Sequence, residues 1–244
     1  MNAVADDARG PAPGVAPDPW IGALFGPDVL TGSLALEDAD PARLAPAEAA
    51  LAARFGPRRA RAFAAGRLCA RPLLAALGAG GAPLGIASHR APAWPPGVVG
   101  SISHGAGLCV VAVARGGAVR GLGVDVESDA PLDPEVRRRV CSAGEARWLE
   151  ELGDAEAGRL AKLLFSAKEA VYKCVHPLLQ RPLGFSAVEI RVVAGGDAGA
   201  GRFTARALEP AGPGARALLA GLEGAWAFRA GRVLTGATLR ARAA

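Results

Sequence analysis

Leu160-Ala-Lys-Leu-Leu-Phe-Ser-Ala-Lys-Glu-Ala-Val-Tyr-Lys-Cys-Val175 is the stretch around which the chain can be read. Leu160, Leu163, Leu164, Ala167, Val171 and Cys174 recur at helical spacing and predict one apolar face. Lys162, Ser166, Glu169 and Lys173 fall at i, i+4, i+7 and i+11 and predict a second, polar face, with Lys168 beside it. Of 28 basic residues only these three are lysines. A lysine ammonium is a compact point charge on a flexible stem, suited to a phosphate oxygen. The plainer reading is a solvated face carrying a Glu-to-Lys i,i+4 pair; the clustering of every lysine on one helix argues against it.

Working outward, the upstream run Gly121-Leu-Gly-Val-Asp-Val-Glu127 reads as a strand. Its alternation sends Val124 and Val126 to one side and Asp125 and Glu127 to the other. Two carboxylates converging beside a lysine-bearing helix suit magnesium, which takes one or two carboxylates together with phosphate oxygens and water. Glu169 offers a third carboxylate. Gly100-Ser-Ile-Ser-His104 closes another strand, and Ser103 and His104 have donors for a phosphate. A G-x-S-x-G elbow is absent, which argues against a serine hydrolase. His89 and His176 have no evident partners and read as structural.

The remaining chain divides into two halves, each with helices followed by strands. In the first, helices are expected at 46–54 and 57–77, after one or two short strands within 20–36. A glycine-rich loop at 78–85 and the proline-broken 90–97 follow. Three strands are then expected at 98–103, 108–114 and 118–126. In the second, helices at 134–152 and 158–175 precede strands at 187–193, 202–208, 225–229 and 232–239. The expected fold is α+β: a pseudo-dimer of two similar α/β halves with antiparallel sheets and the active site in the crevice between them. The lobes are drawn at 20–122 and 123–244, after a disordered tail at 1–19 rich in Ala, Pro, Gly and Asp.

Composition sets the outer bounds. The chain has 244 residues, 51% hydrophobic and 21% charged, enough for a substantial core. It contains no run of 18 apolar residues and no signal-peptide pattern, so a cytoplasmic location without membrane insertion is expected. Cys69, Cys109, Cys141 and Cys174 show no zinc-type spacing and read as free thiols. The net charge of +5 is unevenly spread. No Asp or Glu occurs between Ala49 and Val124, where nine arginines fall; the acids resume at Asp125 and Glu127. A polyanion held between the halves with a divalent cation suits that layout. Nucleic acid is disfavoured, because only 5% of residues are aromatic and none interleave with the arginines as stacking platforms.

These motifs together resemble the 4'-phosphopantetheinyl transferase superfamily. The resemblance rests on Gly123-Val-Asp-Val-Glu127 and, about forty residues later, Phe165-Ser-Ala-Lys-Glu-Ala-Val-Tyr-Lys173. Ala65-Gly-Arg-Leu-Cys-Ala-Arg71, Trp94-Pro and Gly-Ser-Ile-Ser-His104 resemble its large, two-lobed members of the surfactin and enterobactin-synthase type. The match covers roughly residues 20 to 185. It implies transfer of the 4'-phosphopantetheine arm of coenzyme A to a serine of an acyl- or peptidyl-carrier protein in siderophore or polyketide biosynthesis, with release of adenosine 3',5'-bisphosphate and use of magnesium. By the same resemblance Asp125, Glu127 and Glu169 hold the metal, Glu169 also takes the carrier serine's proton, either directly or through a metal-bound water, and Lys168 and Lys173 contact phosphates, Lys173 the reacting one. Ser103 and His104 meet the coenzyme near its phosphates; Arg67, Arg71 and Arg90 are expected at its 3'-phosphate and adenine end. Two internal halves make a monomer the expected state. The competing classes are a magnesium-dependent coenzyme A or nucleotide binder without transfer activity, and a diphosphate hydrolase.

Overall fold

Both motifs meet where one helix lies across one strand. The computed structural model describes residues 19–87, 90–195 and 199–241. The expected tail therefore lies outside the described residues, apart from Pro19, as does His89. After a short turn of helix α1 (Pro19–Gly22) comes β1 (Val29–Ala35), then helices α2 (Pro46–Ala52) and α3 (Pro57–Ala76). Strands β2 (Val98–Gly105), β3 (Leu108–Arg115) and β4 (Val119–Ser128) follow. The second half brings α4 (Pro134–Val140), α5 (Ala143–Glu150), α6 (Asp154–Leu179), β5 (Val188–Ala194), β6 (Ala200–Ala207), α7 (Gly212–Leu219), β7 (Leu222–Arg229) and β8 (Arg232–Arg240).

Two antiparallel sheets result, in the orders β1-β3-β2 and β4-β8-β7-β6-β5. Strand β3 shows how one strand serves two cores. Cys109, Val111 and Val113 face a core with Ala64, Ala65 and Leu68 of α3, while Val110, Ala112 and Ala114 face one shared with Val124 and Val126 of β4. That second core also takes Ala225, Ala227 and Leu234, so it joins the halves. Helix α6 covers the other side of the second sheet, burying Leu163, Leu164, Ala167, Ala170, Val171 and Cys174. The α+β architecture of two halves, each an antiparallel sheet with a long helix on it, is therefore present. Its sheets differ in strand number.

Several expectations shift in detail. The lobe boundary at 122/123 falls inside β4, which pairs with β8 from Val119 onward and so lies whole in the second sheet. Trp20 to Leu36 holds one strand, preceded by a helical turn that buries Ile21. The helix expected over 134–152 breaks at Cys141. Ser142 restarts it as an N-cap, its hydroxyl accepting from Glu145 N–H while the Glu145 carboxylate accepts from Ser142 N–H. Helix α6 starts earlier than expected, with Asp154 and Glu156 in its first turn where the helix dipole favours acids, and ends at Gln180 with φ 52°.

Candidate active site

The glycines of Gly121-Leu-Gly-Val-Asp-Val-Glu127 share a face with its acids, and that face meets α6. A Cβ on Gly123 would stand 1.8 Å from the Ala170 carbonyl oxygen, and one on Gly121 2.5 Å from that of Cys174. Only hydrogen fits there, so backbone lies on backbone and the next two inward residues, Asp125 and Glu127, are delivered to the polar stripe of α6. The other edge comes from β2. The Ser101 hydroxyl accepts the Val124 N–H at 3.0 Å, and a Cβ on Gly105 would be 2.2 Å from the Val126 carbonyl oxygen. Edge strands of the two sheets thus abut, and the acids sit at their junction.

Asp125 is 3% exposed and fully engaged. Its Oδ1 accepts from Ser103 Oγ at 2.7 Å and from Lys173 Nζ at 2.7 Å; its Oδ2 accepts from Ser166 Oγ at 2.8 Å. Lys173 Nζ also donates to Ser103 Oγ at 2.9 Å and to the Val124 carbonyl at 3.2 Å. Thr235 of β8 donates to the Ser166 carbonyl and lies 2.9 Å from its hydroxyl. Ser166 and Thr235 were not expected at the site. Ser166 was legible as a member of the polar stripe; Thr235 carries no sequence signal, because only strand register brings β8 beside β4.

Glu127 and Glu169 complete the acid row. Burial first, then the Asp125 charge, pushes the Glu127 carboxyl above its ordinary range, with Lys162 and Lys173 opposing. Burial and Asp125 push Glu169 up as well, against Lys173. Lys162 Nζ stands 3.9 Å from Glu127 Oε2. Two raised carboxyls beside the Asp125 charge make a site that a divalent cation would relieve. Among the described residues no group of three His, Cys, Asp or Glu side chains is gathered into a metal cage. The donors present are hard carboxylate oxygens, the ligand type that magnesium takes.

A cavity of about 610 Å³ opens beside Lys173. Arg90, Trp94, Ser101, Ile102, Tyr172, His176 and Gln180 are among its walls, with Tyr172 and His176 rings 4.9 Å apart. A smaller one of about 250 Å³ lies on the other side of Tyr172, against Glu169, Leu183, Gly184 and Phe185. Arg90 and His176, the latter read from the sequence as structural, are both walls of the larger cavity. His104 is exposed at the end of β2.

Three residues expected at phosphates have partners within the protein. Lys168 has no free donor: its ammonium is buried and gives its protons to the Val140 carbonyl, Glu145 Oε2 and the Phe185 carbonyl. Arg67 is 7% exposed, stacks on Phe63 with its guanidinium 3.7 Å from the ring centre, and donates to the Leu84 and Gly85 carbonyls. Burial pulls its pKa down to about 10. Arg71 donates to Glu48 Oε2 at 3.0 Å and to the Arg43 carbonyl, on the α2 side of α3. These arginines hold the 84–85 loop and α2 in place, and neither lines the large cavity.

The chain is similar to known proteins over most of its length. Residues 47–114 match the model of the 4'-phosphopantetheinyl transferase N-terminal domain, and residues 121–209 that of the 4'-phosphopantetheinyl transferase superfamily. The chain is 41% identical to 4'-phosphopantetheinyl transferase Svp of Streptomyces mobaraensis over 84% of its own length and 82% of that protein's. It is 36% identical to 4'-phosphopantetheinyl transferase PptT of Mycobacterium tuberculosis over 80% and 85%. Enterobactin synthase component D of Salmonella typhi is 31% identical over 55% of this chain and 56% of that one. With the acids of β4 and the lysine and glutamate of α6 standing inside the matched region, the chain belongs to the 4'-phosphopantetheinyl transferase superfamily and is an enzyme of the large type.

Proposed function

We propose that this enzyme moves the phosphopantetheine arm of coenzyme A onto a serine of an apo acyl- or peptidyl-carrier protein, releasing adenosine 3',5'-bisphosphate. The observation that carries the proposal is Lys173, which pairs with Asp125, feels the charges of Glu127 and Glu169, and stands on the wall of a cavity large enough for a nucleotide. The nucleotide end would occupy that cavity, with Arg90 and Lys173 toward its phosphates and Trp94, Tyr172 and Ile102 supplying apolar wall. Ser103 would help orient the diphosphate, because Lys173 already bridges it to Asp125.

The chemistry follows from the groups present. The carrier serine Oγ attacks the phosphorus attached to the pantetheine arm, its proton passes to the Glu169 carboxylate, and the bond from that phosphorus to the bisphosphate breaks with its electron pair. A carboxylate whose pKa is raised by burial is a better proton acceptor than an ordinary one. Lys173 neutralises the charge that builds on the phosphate oxygens. Magnesium, held by Asp125, Glu127 and Glu169, would screen the diphosphate and stabilise the leaving bisphosphate when bound. Siderophore or polyketide assembly is the pathway class proposed, given the named relative in enterobactin synthesis. Among the described residues no helix is long and apolar enough to cross a membrane.

The test incubates the protein with coenzyme A, magnesium and an apo carrier protein and weighs the carrier. A mass gain of one phosphopantetheine supports the proposal. Bisphosphate release with no mass gain means a diphosphate hydrolase, and neither product means a coenzyme binder; each overturns it.

A further inference from the structure

The residue next to the proposed base is the centre of a buried knot. Lys168 Nζ meets the Val140 carbonyl at 2.7 Å, Glu145 Oε2 at 2.7 Å and the Phe185 carbonyl at 3.1 Å. Glu145 Oε2 also accepts from Ser142 N–H at 2.6 Å, and its Oε1 from Ile190 N–H at 2.7 Å. The Lys168 and Glu145 side chains are 2% and 1% exposed. A single ion pair, with every donor and both carboxylate oxygens satisfied, therefore ties together four segments: the end of α4, the start of α5, α6 and the 185–190 entry to β5.

That position matters for the site. On a helix, consecutive residues diverge by about 100°, so Lys168 points into the knot while Glu169 points to the acid row. The Phe185 carbonyl that Lys168 holds belongs to the wall of the 250 Å³ cavity facing Glu169, and the Phe185 ring packs 5.6 Å from Phe165 of the same helix. The segment 180–187 is irregular apart from one turn of 3-10 helix; Arg181 on the Ala211 carbonyl and Leu208 N–H on the Ala187 carbonyl tie it to the 208–211 turn, and the knot is the anchor that ties it to the helix carrying Glu169.

We propose that the Lys168–Glu145 pair is a positioning device for phosphopantetheine transfer: it sets the 182–185 wall against Glu169 and so fixes the geometry of the reacting serine and phosphorus, touching neither. The inference rests on the transferase reading above, and the parent enzyme separates the two. If the parent transfers nothing, the transferase reading fails; if the parent transfers and the variants below match it, only this inference fails.

The double variant Lys168→Met with Glu145→Gln removes both charges together, so no lone charge is left buried, and Gln keeps an acceptor for Ser142 or Ile190. Steady-state transfer, coenzyme A binding by calorimetry and hydrogen exchange of the 182–190 amides are read on the folded protein. The expected result is a kcat lowered at least tenfold, a coenzyme A affinity within twofold of the parent, and faster exchange confined to 182–190. A folded double variant with kcat within twofold overturns the proposal, as does a loss carried by coenzyme A affinity alone. Should the double variant not fold, Lys168→Arg is read instead. It keeps the ion pair, but its planar fork cannot serve three divergent acceptors. A kcat drop of threefold or more with unchanged melting temperature supports the inference; unchanged kcat overturns it.

Discussion

Asp125 and Glu127 sit two residues apart on one face of β4, yet their surroundings assign them different costs. Asp125 is closed in by Lys173, Ser103 and Ser166, so its charge is compensated inside the protein. Glu127 is half-buried among other carboxylates, and its ionised form is disfavoured. For a carboxyl raised in the fold, the stabilising contribution is present below the ordinary value of 4.5 and is lost as pH climbs through the folded pKa. At Glu127 and Glu169 that contribution therefore falls as pH rises above 4.5. Glu127→Gln is expected to abolish transfer while melting at or above the parent temperature at pH 7, with the gain vanishing near pH 4. Asp125→Asn is expected to abolish transfer and also lower stability by roughly 1.5–3 kcal/mol, because it weakens a charge-assisted network. Thermal melts of both variants at the two pH values check the opposite signs. Arg67 belongs to the same scale. With its donors on Leu84 and Gly85, Arg67→Ala should destabilise the first lobe and weaken coenzyme A and dephospho-coenzyme A equally; calorimetry with the two ligands checks it, and selective loss of coenzyme A would return Arg67 to the 3'-phosphate.

At the scale of elements, the decisive contact is α6 on β4. The Gly123 Cβ position lies 1.8 Å from a helix carbonyl, a contact no flexible side chain can yield. Gly123→Ala should push α6 off the strand, costing about 1–3 kcal/mol or more and most of the transfer activity. Gly153→Ala, just before the same helix and with open space around its Cβ position, should leave both near normal. Chemical denaturation of the pair checks this. These elements were legible for a physical reason: α6 and β4 carry strong periodicities, 3.6 on one and 2 on the other, so the placement of Glu169, Asp125 and Glu127 followed from spacing. The knot was not. Lys168 sits at a position that helical spacing alone assigns to the flank of the polar stripe, and only the Ser142-to-Glu145 cap, which breaks the expected 134–152 helix, reveals the buried partner waiting for it. The burial of Arg67 was hidden for the converse reason. A basic residue in a basic stretch reads as exposed, but stacking on Phe63 and two loop carbonyls let this one be buried.

At the scale of the whole molecule, two sheets abut edge to edge and share one core, so a reaction centre can be built from both halves: Ser103 from the first sheet, Asp125 and Glu127 from the second, Glu169 and Lys173 from the helix across it. Arg90 and Trp94 of the first half and Tyr172, Lys173 and His176 of the second are walls of the same large cavity. The account's central claim is that the acid row and Lys173 act on the reaction more than on coenzyme binding. It is tested most directly by single-turnover transfer to an apo carrier, with enzyme saturated in coenzyme A and magnesium, comparing the parent with Glu169→Gln. The account predicts a rate lowered by about 10²-fold or more, with coenzyme A affinity within about threefold. A Glu169→Gln enzyme that transfers within a few-fold of the parent rate would contradict it.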